Sequence, residues 1–156
     1  MRPWLFSLPI IFLLSACGSK SAFEYFTKLD SRQERAVTNL RRMTIKENNA
    51  TVALLNIIYL NPVEPGAYGD NPAFLIGLYD RRGKGMEAYR TTLNGRLPAG
   101  MVELDDNCTL RSLMPLNNPW NRYYQALFKA DSEANLTLRF ETDPSLQGEV
   151  TYRTDE

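Results

Sequence analysis

The apolar pattern downstream of residue 50 limits this chain to a fold built on β-sheet. Residues 51–60 and 73–80 are apolar on both alternations, which is typical of strands that are covered on both faces. Residues 134–142 alternate instead, with Leu and Phe on one face and Thr, Arg and Glu on the other. One dry face and one wet face indicate antiparallel sheet.

Turn residues divide the rest of this region into short strands. Prolines and glycines fill residues 61–72, and residues 81–85 form a second predicted turn. Regular turns between short strands are typical of a sandwich or a small barrel. We therefore expect a mainly β fold, an antiparallel β-sandwich of about seven strands with an N-terminal α-helix, in one globular domain. The expected domain covers residues 23–156, with its sandwich at about 50–155 and further strands at 87–93, 101–104, 123–129 and around Val150 and Tyr152.

Residues 22–45 are predicted to form the helix. Ser31 and Glu34 fit a capping box, and Asp30 adds an acidic start. The segment is predicted as one long helix or as two helices joined near Asp30. Its arginines leave two placements open, against the core or along a membrane surface. The apolar stripe at helical spacing consists of Ala36, Val37, Leu40 and Met43.

An apolar run near the start of the chain ends in Leu14-Ser15-Ala16-Cys17, and Arg2 precedes the run. The run is shorter than the roughly 20 residues that a spanning helix needs. This pattern resembles the lipobox of bacterial lipoproteins. The alternative is an ordinary secretory signal in which Cys17 is incidental.

The lipoprotein resemblance implies where in the cell the protein is located. Residues 1–16 would be a signal peptide, and Cys17 would carry acyl chains such as palmitate. In this family an Asp directly after the lipidated cysteine favours retention in the inner membrane. Gly18 at that position therefore implies the outer membrane, with the domain facing the periplasm. Residues 17–22 would be the lipidated tether; its five residues after Cys17 span at most ~18 Å, so we expect the domain to lie near the membrane.

The composition removes several classes of function. Histidine is absent, which excludes Ser-His-Asp and Cys-His catalysis and HExxH zinc sites. No GxSxG motif or metal-ligand spacing occurs, so we expect no catalytic activity, no cofactor and no metal. The formal net charge is zero, which argues against nucleic acid as a partner. Acylation of Cys17 would leave Cys108 without an intramolecular disulfide partner, either as a buried small side chain or as a reactive thiol.

Three asparagines share an extended acceptor pattern. Each has an acidic residue two positions before it and a threonine two positions after it. This pattern is similar to the acceptor of the bacterial N-oligosaccharyltransferase, which implies a bulky surface modification rather than a catalytic feature. Coincidence among polar loop residues is the alternative. The possible glycosylation sites are Asn49, Asn107 and Asn135.

The predicted turn at residues 81–85 is basic. Arg81, Arg82 and Lys84 are candidates for contact with anionic headgroups if the tether holds the domain close to a membrane. The glycines around them are also typical of an ordinary solvated hairpin tip.

A proline-broken apolar loop covers residues 113–120. Its large apolar side chains in irregular structure make it a candidate partner surface. The alternative is a loop that folds back over the sandwich, with Trp120 filling the core. The candidate surface consists of Leu113, Met114, Leu116 and Trp120.

These features favour a binding or assembly-accessory module of the cell envelope, attached to the membrane by its lipid anchor. We expect an envelope protein as partner. In its lipobox, size and expected fold the chain is similar to the outer-membrane lipoprotein of type VI secretion, but it carries no motif of that family. Two alternatives stay open, a hydrolase of envelope glycans that uses Asp or Glu and a carrier of a small apolar ligand.

Overall fold

The computed structural model describes residues 30–130, 132–143 and 146–154. The predicted signal peptide 1–16, the lipidated Cys17, the tether 17–22 and the helical turns expected before Asp30 lie outside these residues. No helix within the described part is long and apolar enough to cross a membrane. The helix and strands are α1 (Ser31–Thr38), β1 (Leu40–Glu47), β2 (Ala50–Tyr59), β3 (Ala73–Asp80), β4 (Arg90–Leu93), β5 (Gly100–Glu103), β6 (Arg122–Leu127), β7 (Asn135–Asp143) and β8 (Leu146–Arg153).

The strands form two antiparallel sheets, which confirms the predicted mainly β sandwich with an N-terminal helix. The larger sheet has the order β1-β2-β3-β6-β5, and the smaller has the order β4-β7-β8. The strand predicted at 87–93 is shorter, because Met86–Ala88 is a 3-10 helix and β4 begins at Arg90. A second 3-10 helix lies at Thr109–Leu113, between β5 and β6.

The main core fills the space between the sheets. The alternating apolar residues of β7 are buried there, as their period of two predicts: Leu136, Leu138 and Phe140. Aromatic rings add to the centre, with Phe74 5.2 Å from Tyr59 and 5.9 Å from Phe128 between ring centroids.

The predicted helix over residues 22–45 is wrong from Leu40 onward. The helix ends at Thr38, and β1 pairs with β2 from Leu40↔Ile58 to Glu47↔Ala50. Met43 and Ile45 point into the main core while Thr44 between them is exposed, a period of two that helical spacing masked. Sheet pairing over the whole strand outweighs local propensity here. The predicted capping box is also wrong, because Asp30 rather than Ser31 is the N-cap and no side chain of the described residues makes an N-capping hydrogen bond.

The outer face of the larger sheet, which points away from the smaller one, is only partly covered. Ala36 of α1 is completely buried against it, beside the loop after β2 and the 3-10 helix Thr109–Leu113. The described helix therefore packs on the core rather than standing free. These elements bury Ile58, Leu60, Val63, Ala73, Leu75, Leu113, Met114 and Tyr123 in a second core.

Candidate functional site

The uncovered part of the outer face forms a groove of about 650 Å³. One wall is the sheet itself, and the other is the loop between the second 3-10 helix and β6. The groove is lined by Arg42, Leu54, Asn56, Tyr79, Leu116, Asn118, Trp120 and Asn121.

Strand pairing places the sheet wall of the groove. Arg42 of β1 lies directly opposite Asn56 of β2, and Leu54 of β2 lies opposite Tyr79 of β3. Because side chains alternate across a strand, all four point away from the main core. Cross-strand neighbours lie about 5 Å apart at Cβ, so the four side chains form one continuous surface.

The loop wall is divided between buried and exposed residues. Leu116 is 68% exposed and Trp120 is 76% exposed, so the interpretation of Trp120 as a plug of the core is wrong. Leu113 and Met114 are 2% and 4% exposed, and this corrects their assignment to a partner surface. They anchor the loop in the second core, and only the residues beyond them are left to form a surface.

Hydrogen bonds from the core fix the loop. The hydroxyl of the buried Tyr123 accepts a hydrogen bond from the backbone N–H of Asn118, at 2.9 Å. The side chain of Asn118 accepts one from the backbone N–H of Trp120, at 3.0 Å. The guanidinium of Arg111 lies 4.6 Å from the centre of the Tyr123 ring and pairs with Asp106. The exposed indole is therefore presented by a pre-organised loop.

The polar groups of the groove are amides and one cation. Arg42 Nε donates to Asn56 Oδ1 at 3.1 Å. Among the described residues, no carboxylate pairs with Arg42 and none lines the groove. The side-chain NH₂ groups of Asn118 and Asn121 have no hydrogen-bond partner within the described chain. The groove thus combines an apolar floor with unused donors and a single positive charge.

A buried carboxylate organises the basic turn at one end of the sandwich. Asp80 accepts hydrogen bonds from the backbone N–H of Arg82 at 2.6 Å, from Arg82 Nη2 at 3.1 Å and from the hydroxyl of Tyr89. Burial by itself raises the pKa of Asp80, but the hydrogen bonds from Arg82 and Tyr89 outweigh it and lower the pKa below its usual range. Burial, followed by the bond to Asp80, raises the pKa of Tyr89 to about 12.

This network distinguishes Arg82 from Arg81 and Lys84, the other two residues predicted to contact headgroups. Arg82 is engaged by Asp80 and Tyr89, so its charge is partly neutralised inside the protein. Arg81 and Lys84 are exposed beside it. Their contact with a membrane stays a prediction.

The three asparagines with the extended acceptor pattern are all exposed. Asn49 lies in the β1–β2 turn with a φ of 63°, Asn107 lies in the turn after β5, and Asn135 begins β7. Accessibility is what glycosylation requires, and the modification itself stays a prediction. Cys108, beside Asn107, is a half-buried free thiol.

Sequence reasoning found the loop wall of the groove but missed the sheet wall. A weak signal for it exists in β2, where Asn56 interrupts an otherwise apolar run on the outward alternation. A polar residue at such a position indicates that the face is open there. Its partners on β1 and β3 become visible only once the strand pairing is known.

No family model, no curated protein and no solved structure matches the chain. The structure defines a β-sandwich that carries an aromatic and amide-lined groove on its outer face.

Proposed function

We propose that this protein is a lipid-anchored binding module of the outer membrane, facing the periplasm, and that the groove is its binding site. One observation carries the binding role: Trp120 and Leu116 are more than two-thirds exposed on a loop that the core holds in place. If the groove binds a component of an envelope assembly, the protein has an assembly-accessory role in the envelope.

The energetics of Trp120 support a binding role. Covering a tryptophan removes about 150–250 Å² of surface from water, and exposed rigid aromatic residues are frequent sources of binding energy. Because the Tyr123 hydroxyl fixes the loop, little conformational entropy is lost when a partner covers the indole. A rigid, exposed tryptophan beside a groove therefore favours binding over a merely structural loop.

The two alternatives gain less support. Glycoside hydrolysis commonly needs two carboxyl groups that flank the scissile bond, and the described lining of the groove holds none. A carrier would need an interior apolar cavity, whereas buried side chains from both sheets meet in the main core. The groove on the outer face is the better candidate for a ligand.

The membrane anchor rests on the resemblance of Leu14-Ser15-Ala16-Cys17 to a lipobox, and its test is separate from that of the groove. We expect Cys17→Ala to abolish acylation and to shift the protein from the outer-membrane fraction to an unprocessed or soluble form. Metabolic labelling with palmitate and membrane fractionation measure both effects. Unchanged fractionation and processing would remove the anchor from the proposal.

The groove is tested by crosslinking in intact cells. We expect a photo-crosslinking amino acid in place of Leu116 to form a discrete adduct with an envelope component, either a protein or a glycan. The control is the same substitution at Leu97, which is 65% exposed but lies outside the groove. The adduct should disappear when Trp120→Ala is added. Equal adducts at both positions, or an adduct that is insensitive to Trp120→Ala, would contradict the proposed site.

A further inference from the structure

We propose that the groove holds an acidic glycan strand, of N-acetylated sugars that carry carboxylates, which is the chemistry of the peptidoglycan backbone. The inference rests on the proposed function, since it names the ligand class of the same groove. Three features of the lining carry it: the aromatic rings, the amides and the unpaired cation.

The aromatic residues fit the apolar faces of sugar rings. Trp120 is 76% exposed, and Tyr79 on the sheet wall is 36% exposed. A pyranose presents C–H groups on its flat faces, and the negative face of an aromatic ring attracts such hydrogens while the contact removes apolar surface from water. With Trp120 on the loop wall and Tyr79 on the sheet wall, aromatic contacts are available on both sides of a strand in the groove.

The amides fit the polar rim of the same rings. Asn56, Asn118 and Asn121 each carry an acceptor oxygen and an NH₂ donor. Sugar hydroxyls and acetamido groups are donors and acceptors at once, so they can satisfy such amides where an apolar surface cannot. The NH₂ groups of Asn118 and Asn121 have no partner among the described residues and are available for this.

Arg42 selects for a negative charge. Its Nε donates to Asn56, and both terminal nitrogens are left without a hydrogen-bond partner in the described chain. An exposed guanidinium with no carboxylate in the surrounding lining is complementary to an anionic group, which it can bind through two parallel hydrogen bonds. A sugar with a carboxylate supplies this group, and a neutral sugar does not.

The same lining fits an apolar protein segment less well. Covering the groove with an apolar helix would bury the NH₂ groups of Asn118 and Asn121 and the terminal nitrogens of Arg42, which have no partner among the described residues. Each buried polar group without a partner costs about 1–3 kcal/mol, and charged groups cost more. The favourable burial of Trp120 and Leu116 would be largely offset, so the composition of the groove favours a ligand with a polar edge.

Calorimetric titration of the full-length protein in detergent tests the inference. The probes are peptide-free glycan fragments of peptidoglycan, which carry lactyl carboxylates, and chito-oligosaccharides of equal length, which are neutral. We expect the acidic fragments to bind at least tenfold more tightly than the neutral ones. Trp120→Ala should lose binding of both, and Arg42→Gln should weaken binding of the acidic fragments more than binding of the neutral ones, so that the affinity ratio falls close to one.

Two matched controls lie outside the groove: Leu97→Ala for the exposed apolar residue and Arg90→Gln for the exposed cation. Both should titrate as the unchanged protein does. Equal affinity for the two glycans, or binding that Trp120→Ala does not alter, would overturn the inference. A protein adduct at position 116 without any glycan binding would overturn it while the proposed function stands, and failure of both experiments would remove both.

Discussion

The two halves of the outer face of the larger sheet differ although the same strands build them. Along β2 and the residue after it, Ile58 and Leu60 are completely buried under α1 and its neighbours, whereas Leu54 and Asn56 line the open groove. β3 shows the same division in the opposite chain direction, from the buried Leu75 to the exposed Tyr79. The boundary thus crosses both strands at one level.

Covering elements, and not the strands, decide which part of the face becomes a site. The covered half is apolar, mostly aliphatic with Tyr123 among its side chains, because it must exclude water beneath α1 and the 3-10 helix Thr109–Leu113. The open half keeps apolar area but mixes it with amides and Arg42, so it tolerates solvent until a ligand covers it. In β2 and β3, the covered part of each strand therefore contributes to stability, and the open part of the same strand lines the groove.

The largest expected difference between the two halves is in the free energy of unfolding when one leucine in each half is replaced by alanine. Leu75→Ala removes a completely buried side chain, and we expect it to lower the free energy of unfolding by about 2–5 kcal/mol. Leu54→Ala, on the groove side, should cost less than about 1 kcal/mol, because solvent or a ligand already reaches that position. Urea unfolding followed by circular dichroism measures both.

The matched pair is informative in either direction. Equal losses would mean that the groove half is packed as tightly as the covered half and is not an open site. A small loss for Leu75→Ala would mean that α1 and the loops do not cover the sheet as described. Leu54→Ala should still weaken binding in the groove. The effect of Leu75→Ala on binding can be measured only if that variant stays folded.

Much of the fold was predictable, because strand period and turn residues are local signals. β2, β3 and β7 begin and end within one residue of the predicted bounds. β1 was missed because Ala36, Val37, Leu40 and Met43 also fit helical spacing. Pairing with β2, which follows the two-residue turn Asn48-Asn49, decides between the two structures, and periodicity within residues 36–43 does not report that pairing.

The groove was predictable only in part. The loop residues Leu116 and Trp120 stand out as apolar side chains among prolines and asparagines. The sheet wall depends on two cross-strand pairs, Arg42 with Asn56 and Leu54 with Tyr79, and no local pattern encodes them. Leu113 is buried in the second core while Leu116 is exposed, and this difference likewise depends on tertiary packing.

The smaller prediction concerns the boundary between the halves, where Gly77 of β3 lies. A Cβ at Gly77 would approach a ring carbon of Tyr123 to 3.1 Å and the methyl group of Met114 to 3.6 Å. Gly77→Ala must therefore push the Tyr123 ring aside by a few tenths of an ångström. We expect a loss of about 1 kcal/mol in the free energy of unfolding, at the low end of overpacking effects.

Gly100→Ala is the matched control, because a Cβ there meets nothing within 4 Å, and we expect it to change stability by less than about 0.5 kcal/mol. The hydroxyl of Tyr123 holds Asn118, so a displaced ring also moves the loop wall of the groove. Gly77→Ala should therefore weaken binding in the groove by several-fold, although its side chain points at the covered half. If calorimetry shows unchanged binding together with the loss of stability, the two halves of the face are independent, and the loop does not need the core to present Trp120.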